Sequence, residues 1–207
     1  MRDLRVLFCA AGLLALTLLP AQGATVSKTY TYFSIGGSTL EEIENELTRR
    51  GPEVKSTGKR HPGATQMEFT TRLTYAEKSG RCWIADAKVN MRAKVTLPRW
   101  KPRAKADPDV RLIWETLASD IKRHEESHIV IARNHARELE QSLKAIGRQK
   151  SCAAVATKAQ AVQTAVLARH DAAQDRFDKI EGMNFEKRIL GLLQYRLKRM
   201  QASAKAQ

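Results

Sequence analysis

The stretch that decides the fold runs from Asp107 to Gly147 and reads DPDVRLIWETLASDIKRHEESHIVIARNHARELEQSLKAIG. Asp107 is a preferred N-cap residue, Pro108 suits the first helical position, and Gly147 suits the position just past a helix end. Side chains spaced by alternating steps of four and three predict one long helix with a core-facing stripe. The stripe consists of Val110, Trp114, Leu117, Ile121, His124, His128, Ile131 and His135.

This stretch contains the pentapeptide His124-Glu125-Glu126-Ser127-His128. Histidines four residues apart point the same way on a helix and can bind one metal ion through neutral ring nitrogens. This spacing, with a glutamate beside the first histidine, is typical of a helix-borne catalytic zinc site. Glu125 lies about 100° further round the helix and is predicted to be the general base that deprotonates a zinc-bound water.

A histidine pair on a solvated helix face would need no metal, and this is the alternative to zinc binding. His124 and His128 both fall on the predicted core-facing stripe, where an imidazole without a partner costs on the order of a kcal/mol. We therefore predict that both bind Zn²⁺. His135 lies about 10 Å further along the axis, too far to share the metal, and is predicted to be packed, hydrogen-bonded or a substrate contact.

The first 23 residues have the features of a secretion signal. Arg2 and Arg5 precede an apolar run at 6–19, and small residues follow up to Gly23. We predict cleavage after Gly23 and a periplasmic or secreted protein, with an uncleaved membrane anchor as the alternative. Cleavage removes the first cysteine and leaves Cys82 and Cys152, which are predicted to form a disulfide rather than two separate thiols.

The chain is strongly basic, with 36 Lys and Arg against 22 Asp and Glu and a formal net charge of +14. Such a charge suits contact with anionic surfaces such as phospholipid headgroups or cell-wall polymers. A secreted chain with few aromatic residues and no recognisable nucleic-acid fold is not expected to bind nucleic acid.

The residues before the long helix alternate in the way that strands do. Residues 28–35 predict a strand, Ser38 and Glu41 a capping box that opens a helix, and residues 65–77 and 81–97 two antiparallel strands joined by a turn. Prolines 98, 102 and 108 predict a linker into the long helix. The residues predicted to face inward are Cys82, Ile84, Ala87, Val89 and Val95.

A second helix is predicted to begin near Cys152 and to run antiparallel to the first. With a turn near Lys150, the positions that face His124 and His128 are about 172 and 176, within about one turn. The predicted fold is therefore α+β: a small antiparallel sheet with one N-terminal helix, followed by a long antiparallel helical hairpin that carries the zinc motif.

A catalytic zinc usually takes three protein ligands and leaves the fourth position to water, so the facing window is expected to supply a third ligand. The three aspartates of the window share one helix edge, which is equally typical of a solvated acidic face. The candidates are His170, Asp171, Asp175, Asp178 and Glu181.

Residues 183–207 alternate apolar and basic side chains and predict an amphipathic tail. Such a helix either packs on its own domain, which we favour, or lies on an anionic envelope surface. The domain organisation predicted is thus a signal peptide at 1–23, a zincin-like protease domain at 24–182, and this basic tail.

Several further residues stand in an order that resembles a known family. They are Tyr30 to Phe33, Gly37, Glu42 to Leu47, Gly51-Pro52, Cys82, Leu97-Pro98, Trp100, Trp114 and the pentapeptide at 124–128. The chain resembles, over most of residues 28–181, a bacterial family of predicted secreted zinc-dependent proteases that is otherwise of unknown function. An aromatic-Asp pair on a later helix belongs to that pattern, and Phe177-Asp178 looks like its counterpart. The resemblance therefore implies Asp178 as the third ligand, with His170 and Glu181 as alternatives.

The function expected is a zinc metallopeptidase that hydrolyses a protein or peptide substrate, with Glu125 as general base and Zn²⁺ held by His124 and His128. Arg72 or Tyr75 from the strands could stabilise the oxyanion. The alternative is a non-catalytic envelope-binding or scaffold protein that keeps the zinc-motif helix for structure.

Overall fold

The structure, a computed structural model, describes residues 24–54 and 58–205. The predicted secretion signal at 1–23 lies outside the described residues. The predicted mixed α+β class is confirmed. The elements are β1 (Thr25–Ile35), α1 (Leu40–Arg50), β2 (Glu53–Val54), β3 (Lys59–Arg60), β4 (Ala64–Lys78), β5 (Arg81–Trp100), a 3-10 helix (Pro102–Lys105), α2 (Pro108–Lys144), α3 (Cys152–Met183) and α4 (Phe185–Lys205).

The main sheet has the strand order β1-β5-β4 and is mixed, which corrects the expectation of a purely antiparallel sheet. β4 and β5 form the predicted antiparallel pair, whereas β1 pairs in parallel with β5, from Thr25 opposite Asn90 to Ile35 opposite Trp100. The chain passes through α1 before β4, and β4 then runs back along the sheet. Because β5 reverses direction once more, it returns in the direction of β1.

Three local details differ from the sequence-based expectations. The capping box of α1 uses Thr39 and Glu42 instead of Ser38 and Glu41. Two short strands that were not predicted, β2 and β3, pair with each other between α1 and β4. Pro98 belongs to β5 instead of a linker, and it fits there because the pairing with β4 has already ended at Thr96, so the missing N–H costs no ladder hydrogen bond on that side.

The central strand β5 supplies the largest part of the core, because alternate side chains along it point at the helices. All five residues predicted to face inward are buried, and Met91, Ala93 and Leu97 join them. Helix α2 covers this face, with Leu139 and Leu143 fully buried. A second cluster around Trp100 and Trp114 joins α1 to the start of α2 and contains Ile35, Ile43 and Leu47.

Helix α2 begins as predicted, with Asp107 as N-cap and Pro108 at its first position, and it ends at Lys144. Its buried face is rotated relative to the predicted stripe after Ile121, since the buried residues there are Glu125, Ile129, Ala132, Ala136 and Leu139. The two motif histidines are consequently half-buried. They lie on the side of α2 that faces α3, next to the side that packs on the sheet. The carboxylate of the motif, rather than its imidazoles, points into the core.

Helix α3 begins at Cys152 with Ser151 as N-cap, and the predicted disulfide joins Cys152 to Cys82 at the start of β5. Helices α2 and α3 run antiparallel, because later residues of α3 contact earlier residues of α2. Arg169 donates to Glu138, and Gln174 contacts His128. Helix α4 lies against the first half of α2 and buries none of its residues. Among the described residues, every helix is too short or too polar to span a membrane.

Candidate metal centre

Three side chains from α2 and α3 converge on one point, and we call His124, His128 and Asp178 the triad. The Nε2 atoms of the two histidines lie 3.1 Å apart. The Oδ1 atom of Asp178 lies 3.3 Å from Nε2 of His124 and 3.1 Å from Nε2 of His128. Three atoms that can each offer a lone pair therefore form a nearly equilateral triangle.

Gln174 determines the tautomer of His128. The Nε2 group of Gln174 donates to the backbone carbonyl of His128 at 3.1 Å, so its Oε1 atom is the one that faces Nδ1 of His128, at 2.7 Å. Because an amide oxygen only accepts, Nδ1 of His128 carries the proton and Nε2 carries the lone pair. The imidazole thus presents a ligating nitrogen to the centre of the triad.

His124 has an equivalent partner on its other side. Its Nδ1 atom faces the Glu181 carboxylate at 3.5 Å, and its ring stacks on Phe177 with a centroid separation of 5.0 Å. A carboxylate beyond a ligating histidine orients the ring and raises its basicity, as in known zinc sites. Glu181, one of the alternatives for the third ligand, therefore lies on the far side of His124 from the triad.

The size of the triad fits a zinc ion. Tetrahedral ligands at about 2.0–2.1 Å from Zn²⁺ lie about 3.3–3.4 Å apart. The sides of the triangle are 3.1, 3.1 and 3.3 Å, and its three ligands would leave one tetrahedral position for water. Asp178 is 53% exposed, so solvent reaches that side of the centre.

The electrostatics of the triad favour a positive charge at its centre. Burial alone would raise the pKa of Asp178, but hydrogen bonds with the two imidazoles hold it well below its usual range. Burial alone would lower the pKa of His128, but Asp178 and Gln174 outweigh burial and raise it. Both pKa shifts indicate that the three converging acceptor atoms are stabilised by a positive charge between them, supplied either by protons or by a metal ion.

Glu125 is held by the start of β4 and interacts electrostatically with all three residues of the triad. Its Oε2 atom accepts a hydrogen bond of 2.7 Å from the Thr65 hydroxyl, and its side chain is only 5% exposed. A Cβ atom at Gly63 would lie 2.8 Å from Oε1 of Glu125, so only glycine leaves room there. Burial raises the pKa of Glu125, and Thr65 and the two imidazoles offset this only in part. A buried carboxylate whose pKa lies above its usual value is suited to exchanging a proton.

The remaining candidates lie elsewhere. His170 is buried one turn from Gln174, where its Nε2 atom meets the Gln174 amide at 2.9 Å, and His135 packs against the His170 ring. Asp171 and Asp175 are exposed. Arg72 and Tyr75 lie on β4 seven and ten residues beyond Thr65, or roughly 23 and 33 Å along the strand, so the structure does not bring either of them to the triad.

Two residues of this site, Gln174 and Thr65, were not among the sequence candidates. Gln174 lies in the facing window at 172–176, and a search for buried amides as well as for ligand types would have included it. Thr65 carries no local signal, because only the packing of β4 against α2 brings it to Glu125.

Comparison with known proteins adds a family without an assigned activity. Residues 30–186 match the family described as "Bacterial protein of unknown function (DUF922)". No curated protein and no solved structure matches the chain.

Proposed function

The chain belongs to a bacterial family of unknown function, and we propose that this member is a periplasmic or secreted zinc-dependent metallopeptidase. The observation that carries the proposal is the triangle of Nε2, Nε2 and Oδ1 atoms, with sides of 3.1–3.3 Å, beside a buried glutamate. A structural ion pair would not need two imidazoles whose Nδ1 atoms both face acceptors. A metal ion held by three ligands does need them, because an acceptor at Nδ1 orients the ring so that Nε2 faces the ion.

In this proposal each residue has one task. His124, His128 and Asp178 hold the ion, and Gln174 and Glu181 orient the two imidazoles. A bound Zn²⁺ would supply Lewis acidity, polarising a peptide carbonyl and lowering the pKa of water. Glu125 accepts the proton of the attacking water and then gives it to the leaving amine, which its raised pKa allows.

The test compares Glu125→Gln with Glu126→Gln, which makes the same charge change one position along the helix. Both variants should bind zinc stoichiometrically, measured by metal analysis of the mature protein purified without chelators. Glu125→Gln should lose about 10²- to 10⁴-fold in the rate of peptide-library cleavage. Glu126→Gln, which removes a negative charge that contacts Tyr30 and Lys28, should lose little.

Two outcomes would refute the proposal. One is wild-type protein that contains no zinc and takes up none. The other is zinc-loaded protein in which Glu125→Gln cleaves peptides as fast as the wild type. His128→Ala serves as a further control, because it should lose both the metal and the activity.

A second candidate function, contact with an anionic envelope surface, is favoured by helix α4. Its outer side exposes Leu190, Leu197 and Met200, with exposures of 52%, 44% and 58%. Lysines and arginines accompany them, so the helix combines apolar area with positive charge. A binding protein of this kind would need no turnover at the triad.

Vesicle binding distinguishes this candidate. The mature chain should sediment with vesicles that contain phosphatidylglycerol and not with pure phosphatidylcholine, and added salt should weaken the binding. Replacing Lys187, Lys198 and Arg199 together by glutamine should reduce it. Equal binding to both kinds of vesicle, or to neither, would contradict this function and leave the peptidase proposal untouched.

A further inference from the structure

A buried carboxylate anchors helix α4 to α2. Asp120 on α2 is 4% exposed and accepts hydrogen bonds from Nε of Arg188 at 3.0 Å and from Nη2 of Arg188 at 3.1 Å. Arg123 also donates to it, at 2.9 Å. None of the residues of α4 is buried, and this ion pair attaches the helix to α2.

The same arginine also reaches the carboxylate beyond His124. One atom, Oε2 of Glu181, contacts three groups: Nη2 of Arg123, Nη2 of Arg188 at 3.3 Å, and Nδ1 of His124 at 3.5 Å. Nη1 of Arg188 additionally donates to the backbone carbonyl of Glu181 at 3.2 Å. Arg188 thus holds both the side chain and the backbone of this residue.

We infer that helix α4 is part of the metal site, because Arg188 positions the Glu181 carboxylate opposite Nδ1 of His124. The inference rests on the proposed function and adds a positioning residue that touches neither metal nor substrate. Partners beyond a ligating histidine fix its ring orientation, and losing one typically weakens metal binding about 10- to 100-fold. A guanidinium suits the task because its planar fork can donate to Asp120 and Glu181 at once.

This role makes the predicted tail at residues 183–207 a support of the metal site. The tail is joined to the site by an ion-pair chain that runs from Asp120 through Arg188 and Glu181 to His124. Removing α4 should therefore weaken zinc binding even though none of its residues belongs to the triad.

The experiment measures zinc affinity of the full mature chain by competition with a chromophoric chelator. Arg188→Met should weaken binding roughly 10-fold. Arg199→Met is the matched control, since it removes the same charge from the same helix at an exposed position whose guanidinium lies over Tyr195, and it should bind zinc as the wild type does. Arg188→Lys keeps a positive charge beside Asp120 and so protects the fold, but it loses the fork and should also weaken binding.

A double-mutant cycle separates positioning from general destabilisation. If Arg188 acts through Glu181, then Arg188→Met should have little further effect on zinc affinity once Glu181→Gln is present. Thermal unfolding of the chelator-treated proteins provides the control for folding. Additive losses of affinity, or an unchanged affinity in Arg188→Met and Arg188→Lys, would overturn the inference while the wild type still binds zinc. A wild type that binds no zinc would instead refute the proposed function, and the inference with it.

Discussion

Gln174 shows how one buried amide can determine the chemistry of a ligand. It accepts from Nδ1 of His128 and donates to the backbone carbonyl of the same residue. Gln174→Leu keeps the approximate volume but leaves Nδ1 of His128 without an acceptor. We expect zinc affinity to fall by about 10-fold or more, measured by chelator competition. Gln160→Leu, an exposed position on the same helix, is the control, and an equal loss there would contradict the assignment.

Gly63 is a second residue at which a small change should be felt in the site. A Cβ atom there would lie 2.8 Å from Oε1 of Glu125 and 2.9 Å from Cγ2 of Ile121, both of them buried. Gly63→Ala should therefore displace Glu125 and cost about 1–3 kcal/mol in the free energy of unfolding, measured with urea. Gly147→Ala meets nothing within 4 Å and should change little.

The contrast between these residues explains what sequence can predict at this scale. His124, Glu125 and His128 were identifiable because their spacing matches the helical period. Asp178 came from a family resemblance, since three aspartates on one helix edge could not be ranked by spacing. Thr65 and Gly63 could not be identified, because they reach Glu125 only through tertiary packing.

At the scale of elements, the attachment of α4 should depend on pH. Burial alone would raise the pKa of Asp120, but the hydrogen bonds from Arg188 and Arg123 outweigh it and lower the pKa. Such a carboxylate stabilises the fold above its unfolded pKa of about 4, and the stabilisation is lost as the pH falls through the lower folded-state value.

Asp120→Asn should therefore lower the free energy of unfolding at pH 7 by about 1–3 kcal/mol, since two guanidinium groups lose a charged acceptor. The difference between wild type and variant should shrink as the pH falls below about 4. Urea unfolding of chelator-treated protein at several pH values measures it, with the exposed Asp175→Asn as control. A difference that stays constant down to acid pH would refute this role of Asp120.

The elements also show where periodicity stops being informative. The start of α2 followed from Asp107 and Pro108, which act locally, whereas its end at Lys144 lies three residues before Gly147. The rotation of its buried face did not follow, because histidine suits core and surface alike, and a buried glutamate looks polar in any pattern. The parallel pairing of β1 with β5 was equally hidden, since alternation predicts a strand but not its neighbour.

For the whole molecule, zinc should act as a stabiliser, because the triad joins two helices by residues 50 and 54 positions apart. A ligand at about 100 times its Kd that binds only the folded state adds about 2.7 kcal/mol. For a chain of this size this corresponds to an increase in Tm of about 5–10 °C. Calorimetry should show the increase with zinc, its reversal by a chelator, and its absence in His128→Ala.

An unchanged Tm in saturating zinc would contradict folded-state metal binding at the triad. Magnesium is the matched control, since its preference for octahedral oxygen ligands does not suit two imidazoles and one carboxylate. A similar increase with magnesium would indicate general screening of the basic chain rather than a specific site.

The disulfide fixes the start of α3 against the sheet, so the distance of Asp178 from that start determines where Asp178 lies. Cys152 is tied to β5, and Asp178 follows 26 residues later on an uninterrupted helix, about 39 Å along its axis. Each residue added or removed between Cys152 and Asp178 would turn Asp178 by about 100° around α3 and carry it away from the histidines. A seven-residue insertion would restore the direction but move Asp178 about 10 Å along the axis. Natural length variation should thus be absent from this segment in relatives that keep the triad.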